Sequence, residues 1–280
     1  MNLIIKSYRS IINISLRYFV WIKQSIEIRR NITKDEKVYV ELKNKIIFIL
    51  VPHADDEWIG CSQVLRKYGK NVYLCYLNIE KSDVIIDKAR RKELITISEK
   101  HKNNFVDISG EPIQALYSLI KKLNPDYIFL PYFIDWHQDH LKVIDIFYDV
   151  SVLLESEGTQ LYNHIFISMC QISVPIPPQV MNYGLSMSLI EWTRKWLMFL
   201  KIYKSQRTIP FFRFALQEFI NGKKFNSLFS EVFTVLPLKV WQNEKKLHIL
   251  TSTEISSLLE NLQDIRKIRK ISEDIKNRRV

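Results

Sequence analysis

The sequence has few cysteines, glycines and prolines: 3, 6 and 9 of its 280 residues. Three scattered cysteines, Cys61, Cys75 and Cys170, exclude a disulfide framework and favour a reducing, cytoplasmic location. So little glycine and proline argues against a long disordered linker. No uncharged run reaches the length of about 18 residues that a membrane-spanning helix needs. Residues 1–30 also lack the clean apolar segment and small-residue cleavage site of a secretory signal.

Positive charge is abundant and uneven. The formal net charge is +11, and residues 1–45 hold ten lysines and arginines against four acidic residues. A basic surface can attract nucleic acid, anionic lipid or phosphorylated substrates. The sequence shows no zinc-finger, RRM or helix-turn-helix signature, so we do not expect a nucleic-acid partner.

The stretch from Lys45 to Cys61 carries a buried strand followed directly by polar residues. Residues 46–51 are apolar and rich in β-branched types, which indicates a strand buried on both faces, and Pro52 ends it. The polar residues that follow are His53, Asp55, Asp56 and Glu57. Because ligands bind at the carboxyl ends of strands in open α/β sheets, this position indicates a functional site.

Two interpretations of these polar residues are open. A histidine and a carboxylate three residues apart, as in His53 and Asp56, can bind one cation, while Asp55 stays free to act on water. Alternatively the stretch is a polar turn in which Asp55 or Asp56 caps the helix that starts near Trp58.

A second polar cluster favours the metal interpretation. The segment DWHQDH at 135–140 follows another buried run, 127–131, and places His137 and His140 three residues apart. The ends of two adjacent parallel strands lie side by side, so we expect the two clusters to meet.

The rest of the chain alternates between strand and helix patterns, which predicts an α/β fold with a mostly parallel, Rossmann-like sheet and flanking helices. No G-x-G-x-x-G follows the first strand, so a dinucleotide is not expected. We predict strands at 46–51, 72–77, 127–130, 164–169 and 230–236, and helices at 58–68, 86–100, 112–123, 141–154 and 188–203.

Basic amphipathic segments flank the predicted catalytic domain of residues 45–240. Residues 1–44 form a helical extension whose apolar residues include Phe19, Val20, Trp21 and Ile22; it lies on a membrane surface or packs on the protein itself. Residues 241–280 contain a capping box from Thr251 to Glu254 and then an apolar helical stripe with a basic opposite face. This tail docks on the core, pairs with a second subunit to form an oligomer, or contacts anionic membrane.

The two clusters, PHADDE at 52–57 and H-x-D-H at 137–140, resemble the (A/P)HPDDE and HPDH motifs of the PIG-L/LmbE-like zinc-dependent de-N-acetylases. The resemblance covers roughly residues 44 to 236. Departures are Ala54 for proline, Cys61-Ser62 for a Gly-Gly pair and Asn78-Ile79 for Asp-Gly. Further matches are Arg90-x-x-Glu93, Asn124-Pro125-Asp126, Lys204-Ser205-Gln206 and Glu231-x-Phe233.

The resemblance implies a hydrolase that removes the acetyl group from an N-acetylglucosamine-type amino sugar in a glycolipid or glycan precursor. It implies Zn²⁺ held by His53, Asp56 and His140, with an open position for catalysis. Asp55 is then the general base, and His137 stabilises the oxyanion or protonates the leaving amine.

Three further residues have alternative roles. Asp139 orients a histidine of the site or caps the helix that begins near Leu141. Arg90 binds substrate, as the matching arginine of the family suggests, or pairs with Glu93. Trp136 stacks on a sugar or packs in the core. A catalytically silent glycan-binding or membrane-scaffold protein on the same fold is the alternative function.

Overall fold

The computed structural model describes residues 2–33, 38–79, 84–159, 165–168, 180–206 and 211–277, with their side chains except those of 2–14 and 165–168. Cys170 and a proline-rich segment at 174–178 lie outside these residues. Within them the helices and strands follow in the order α1 (Asn2–Asn31), β1 (Ile47–Val51), α2 (Asp56–Tyr68), β2 (Val72–Tyr76), α3 (Val84–His101), β3 (Asn104–Asp107), α4 (Pro112–Leu123), β4 (Tyr127–Leu130), α5 (Gln138–Ser156), β5 (Ile165–Ser168), β6 (Tyr183–Met187), α6 (Leu189–Ile202), α7 (Phe211–Gly222), β7 (Phe229–Leu236), α8 (Leu238–Leu247), α9 (Ser252–Glu260) and α10 (Ile265–Asn277).

The seven described strands form one sheet in the order β3-β2-β1-β4-β5-β7-β6. Neighbours from β3 to β5 pair in parallel, whereas β7 runs antiparallel to β5 and β6. The predicted Rossmann-like, mostly parallel sheet is therefore confirmed. The chain runs outward from β1 through β2 to β3 and then returns to place β4 on the other side of β1. The strand order reverses between β1 and β4, which is where such sheets bind ligands.

Each face of the sheet carries its own apolar core. On one face α2, α3 and α6 bury Trp58, Leu94 and Trp196. On the other face α4, α5 and α8 bury residues such as Phe147 and Trp241. All five residues of β1 are buried, as expected for a strand covered on both faces.

Local signals set the ends of several elements. Gly69 ends α2 with a φ of 49°, which glycine adopts without strain. Asn124 ends α4 in the left-handed conformation with φ 47°. Two residues later, the Asp126 carboxylate accepts hydrogen bonds from Ile46 N at 2.8 Å and Lys45 Nζ at 3.0 Å. The start of β4 is thereby tied to the start of β1, which helps to align the two strands that carry the polar clusters.

The structure adds four elements to those predicted from the sequence: β3, β6, α7 and α8. Strand β6 contains Gly184, which weakens a strand pattern. A Cβ at Gly184 would lie 2.6 Å from the Phe225 ring, so close packing explains the glycine. The tail forms two helices, α9 and α10, rather than one.

The C-terminal half of α1 packs on the protein itself. Trp21 is 2% exposed and donates from its indole nitrogen to the Gln263 carbonyl at 2.8 Å. Arg29 donates to the Ser227 carbonyl at 2.9 Å and stacks over the Phe219 ring. Trp21 therefore does not belong to a membrane-facing surface. Phe19, in contrast, is 67% exposed on the other side of the helix.

The tail docks on the core. Leu258, Ile268 and Ile275 belong to the same apolar cluster as Trp241, and α10 also contacts α1. Of the three alternatives for the apolar stripe, the structure shows packing against the chain's own core. No helix in the described part of the chain has the length and apolar character to cross a membrane.

Candidate metal centre

The polar clusters that follow β1 and β4 meet at the point where the strand order reverses. His53, His137 and His140 each place a ring nitrogen within 4.8 Å of the other two. The ring centroids of His53 and His140 lie 5.3 Å apart. His53 also lies beside Asp139 of the second cluster, from which 86 positions separate it in the chain. The predicted meeting of the two motifs is found in the structure.

Asp56 lies between two of these histidines. Its Oδ2 is 3.1 Å from Nδ1 of His53 and 3.3 Å from Nε2 of His140. Donor atoms around a tetrahedral zinc, with bonds of 2.0 to 2.2 Å, lie about 3.3 to 3.6 Å apart. Two nitrogens and one carboxylate oxygen also form a donor set that suits zinc. The residues present therefore fit a zinc ion in both chemistry and spacing.

Two further carboxylates hold the imidazole rings. Asp135 Oδ2 lies 2.7 Å from His140 Nδ1, and its Oδ1 accepts from the His137 backbone nitrogen at 2.8 Å. Asp139 Oδ2 lies 3.2 Å from His53 Nε2 but 4.0 Å from His137 Nδ1. Of the histidines that Asp139 was predicted to orient, the distances favour His53.

The alternative role of Asp139 as a helix cap is not found. The N-cap of α5 is His137, whose Nδ1 accepts from the Asp139 backbone nitrogen at 3.3 Å. Asp139 lies in the first turn of α5, and its Oδ1 accepts from Lys142 Nζ at 3.0 Å.

The carboxylates around His140 favour its protonated form. Burial alone lowers the pKa of His140, but the adjacent Asp135 and Asp56 outweigh this effect and raise that pKa to about 10. Burial opposes ionisation of Asp56, yet His140 and His53 hold its pKa well below the usual range. A divalent cation can replace a proton shared in this way, because metal binding displaces protons from its ligands.

Asp55 has an unusual backbone conformation directly before α2. Its φ of 129° and ψ of −31° are rare for a residue with a side chain. Such a conformation costs on the order of 1–3 kcal/mol and persists where the surroundings fix it. The Asp55 side chain makes no capping hydrogen bond to α2. Burial and the charges of Asp56 and Glu57 raise the pKa of its carboxyl well above the usual range.

Sequence reasoning missed roles for Asp135, Glu57 and Tyr203. The backbone nitrogen of Asp55 donates to Glu57 Oε2 at 3.0 Å, and the Tyr203 hydroxyl donates to the other oxygen of that carboxylate. Burial raises the pKa of Glu57 to about 7. Asp135 was visible inside the second cluster. No local pattern connects Tyr203, 146 positions away, with Glu57.

Two further motifs of the resemblance, Arg90-x-x-Glu93 and Lys204-Ser205-Gln206, also contact each other. Glu93 accepts hydrogen bonds from the Ser205 backbone nitrogen at 2.9 Å and from its hydroxyl at 2.6 Å. With the Gln206 amide turned so that its oxygen faces Arg90, the guanidinium donates to that oxygen at 2.8 and 3.2 Å. The R-x-x-E helix and the K-S-Q turn are therefore docked together, and Glu93 is engaged by Ser205.

Trp136 lies beside the histidines. Its ring centroid is 5.1 Å from that of His137, and its side chain also packs against the core. The His137 side chain is 31% exposed, whereas that of His140 is 1% exposed. His137 and the half-buried Trp136 therefore form the accessible side of the cluster.

A buried ion cluster supports α2 from behind. Lys195 is fully buried and contacts Glu218, Glu231 at 2.7 Å and the Ile59 carbonyl at 2.6 Å. Glu231 also accepts from the Ser62 hydroxyl and from the Gln63 backbone nitrogen. Glu231 of the quoted E-x-F motif thus fixes the middle of the helix that begins at Asp56.

No family model matches the chain. No curated protein matches it either. Solved structures with a similar overall path include the conserved protein TT1542 from Thermus thermophilus, at 16% identity and a TM-score of 0.49, covering 68% of this chain and 94% of that one. The zinc-inhibited form of teicoplanin deacetylase Orf2 is 14% identical, with a TM-score of 0.49, covering 68% and 98%. The A40926 pseudoaglycone deacetylase Dbv21 is 13% identical, with a TM-score of 0.47, covering 69% and 97%. The chain is thus similar, over about two thirds of its length, to structures that include deacetylases.

Proposed function

We propose that this chain is a metal-dependent amidohydrolase that removes the acetyl group from an N-acetylglucosamine-type amino sugar. The observation that carries the proposal is the position of Asp56 Oδ2, 3.1 Å from His53 Nδ1 and 3.3 Å from His140 Nε2. A buried carboxylate, Asp55, immediately precedes it in the chain. Three metal donors with an adjacent carboxylate suit metal-assisted hydrolysis of an amide.

His53, Asp56 and His140 hold the metal in this proposal, and zinc is the ion that their nitrogen and oxygen donors fit. When bound, zinc supplies Lewis acidity and lowers the pKa of water to near neutrality. Asp135 and Asp139 fix His140 and His53 in the orientations that direct Nε2 and Nδ1 to the centre of the site.

Asp55 takes the proton from the attacking water, and a divalent cation bound beside it would favour the ionised carboxylate that a base requires. His137 contacts the substrate because it is the accessible histidine. Burial and the nearby His140 and His53 lower the pKa of His137 to about 4. A neutral imidazole at rest suits a hydrogen-bond donor to the developing oxyanion. Arg90 and Trp136 bind the sugar portion.

The finer part of the proposal places the substrate on a lipid or diphosphate carrier at the cytoplasmic face of a membrane. Its support is the side of α1 that faces away from the protein. Leu16 and Phe19 are exposed there, and Arg17 and Lys23 flank them. An apolar stripe bordered by basic residues suits the interface of an anionic membrane.

Acetate release tests the proposal. The zinc-loaded protein is incubated with N-acetylglucosamine, its nucleotide-linked form and a lipid-diphosphate-linked form. We expect release of acetate from at least one substrate, loss of this activity after chelation, and recovery on adding zinc. The Asp55→Asn protein serves as the control for contaminating hydrolases. Stoichiometric zinc without acetate release from any of these substrates would overturn the proposal and leave a catalytically silent glycan-binding protein.

A further inference from the structure

A second cavity lies between α2, α3 and α6, on the face of the sheet opposite α4 and α5. Its volume is about 300 Å³, which falls at the small end of the range for ligand sites. It is distinct from the candidate metal centre. None of His53, Asp56, His137 and His140 lines it, and its cationic residue on α2, Arg66, lies ten residues after Asp56 in the chain.

Five cationic side chains from three helices line this cavity, and one of them, Lys195, is paired with Glu218 and Glu231. The other four are Arg66, Lys100, Arg194 and Lys201. The salt bridges found among the described residues include none of these four. Glu191 is the acidic residue whose pKa responds to Arg66, and its carboxylate is already engaged by the Ser188 cap of α6. The cavity wall therefore carries positive charge that the described part of the protein does not neutralise by direct pairing.

Two buried polar atoms beside this wall also lack partners. Arg66 Nη1 and His101 Nε2 are both inaccessible to solvent and make no hydrogen bond within the described part of the chain. Buried polar atoms are almost always satisfied in native proteins, so an exception indicates a missing partner. Arg66 Nη1 is a donor, and Nε2 of a neutral His101 is a donor in one of its two tautomers, so a ligand that accepts hydrogen bonds suits both atoms.

The electrostatic surroundings of His101 point the same way. Its ring stacks on Trp58 with centroids 5.3 Å apart. Burial, together with the charges of Lys100 and Arg66, lowers the pKa of His101 to about 4. Burial has the larger effect, and the contributions of Lys100 and Arg66 show that both cations lie close enough to oppose a positive charge on the His101 ring.

We propose that this cavity is a binding site for the phosphate groups of an anionic ligand. Arginine provides a planar fork that fits phosphate oxygens, and lysine adds a mobile charge. Leu197 and Met198 on the same wall give an apolar surface for the uncharged part of the ligand. Phosphate binding in this cavity depends neither on the metal centre nor on the proposed deacetylation.

The first test measures binding of inorganic pyrophosphate to the zinc-loaded protein by calorimetry, with the His101 ring followed by NMR. We expect saturable binding and a rise in the His101 pKa, because a bound anion offsets the repulsion from Lys100 and Arg66. The double variant Arg194→Gln/Lys201→Gln changes two exposed residues of α6 and should weaken binding about 10-fold or more. The control Lys122→Gln/Lys267→Gln removes the same charge from exposed positions on α4 and α10 and should bind like the wild type.

Two results would overturn the proposal. One is the absence of saturable pyrophosphate binding to the wild type. The other is equal weakening in both double variants, which would show general attraction to a basic protein.

A second experiment replaces pyrophosphate with phosphatidylglycerol vesicles and identifies the source of the phosphate. Vesicle binding that needs Arg194 and Lys201 and shifts the His101 pKa supports the site with a lipid headgroup as ligand. Binding of pyrophosphate with no effect of vesicles on His101 supports it with a soluble phosphate.

Discussion

His140 Nδ1 lies 2.7 Å from Asp135 Oδ2, and both side chains are buried. Nδ1–H donates a hydrogen bond to this carboxylate, so the lone pair of the neutral ring is on Nε2, which faces Asp56 at 3.3 Å. A carboxylate that holds a ligand histidine in one tautomer raises its basicity and fixes its direction. Asp135 thus determines which nitrogen of His140 is available to bind a metal.

Replacing Asp135 with asparagine should weaken zinc binding about 10- to 100-fold, since the histidine loses its orienting carboxylate while the ligand atoms remain. Competition with a chromophoric chelator measures the affinity. Asp145→Asn, at an exposed position on the same helix, is the control and should bind zinc like the wild type. Unchanged affinity in Asp135→Asn would show that the His140–Asp135 contact serves folding alone.

A comparison of His140→Ala with His137→Ala tests the predicted ligand set. The three histidines are all close enough to bind one ion, but only His53 and His140 also contact Asp56. We therefore expect strong loss of zinc from His140→Ala, and retention of most zinc with a loss of activity in His137→Ala. Metal analysis by mass spectrometry gives the stoichiometry. Full zinc occupancy in His140→Ala would refute the assignment, and zinc loss in His137→Ala would add His137 to the ligands.

Asp55→Asn should separate catalysis from metal binding. In the proposed ligand set Asp55 lies beside the metal donors without being one of them, so we expect zinc content and the unfolding transition to be retained. Loss of a general base costs about 100- to 10,000-fold in rate. Single-turnover acetate release on the substrate found in the activity screen measures this loss. A wild-type rate in the variant would assign the base to another residue.

Lys195→Met should strongly destabilise the protein. Removal of the ammonium group leaves Glu218 and Glu231 buried without their cation, and breaking a buried ion pair in this way costs about 3–5 kcal/mol. Urea denaturation measures the free energy of unfolding. Lys122→Met removes an exposed lysine and should change that free energy by less than about 0.5 kcal/mol. Equal effects in the two variants would contradict a structural role for the buried cluster.

The sequence was sufficient to predict the part of the fold that carries the site. The strands before His53 and Asp135 are short apolar runs with polar residues at their ends, and the physical rule for open sheets brings such ends together. The predicted helices at 58–68, 112–123 and 188–203 also match α2, α4 and α6 to within two residues at each end.

Contacts between distant parts of the chain were harder to predict. Tyr203 donates a hydrogen bond to Glu57, which lies 146 positions earlier in the chain. No local sequence pattern predicts this contact. The sequence did contain an indication that Lys195 is buried, because this residue lies three positions after Trp192 on the aromatic side of α6. A lysine at such a position has to find a buried partner, but which partner depends on the packing of α7 and β7.

Membrane binding through α1 gives the last prediction. The structure divides this helix into a side that packs on the protein through Trp21 and an opposite side on which Leu16 and Phe19 are 57% and 67% exposed. Deletion of the whole helix would uncover the core, so a change confined to the exposed side is the sharper test. Leu16→Ser/Phe19→Ser should preserve the fold and reduce sedimentation with anionic vesicles.

Electrostatic attraction and burial of apolar side chains both contribute to the expected binding to anionic vesicles. Basic residues close to an anionic surface contribute about 1 kcal/mol each and are screened by salt, whereas burial of apolar side chains is not screened. We therefore expect wild-type binding that weakens with salt and a further loss in the double variant at every salt concentration. Val152→Ser/Leu153→Ser changes two exposed apolar residues on α5 and should bind like the wild type. If the wild type stays in the supernatant at low salt, the exposed side of α1 does not bind membrane, and the deacetylase proposal stands without a lipid surface because the metal centre does not depend on α1.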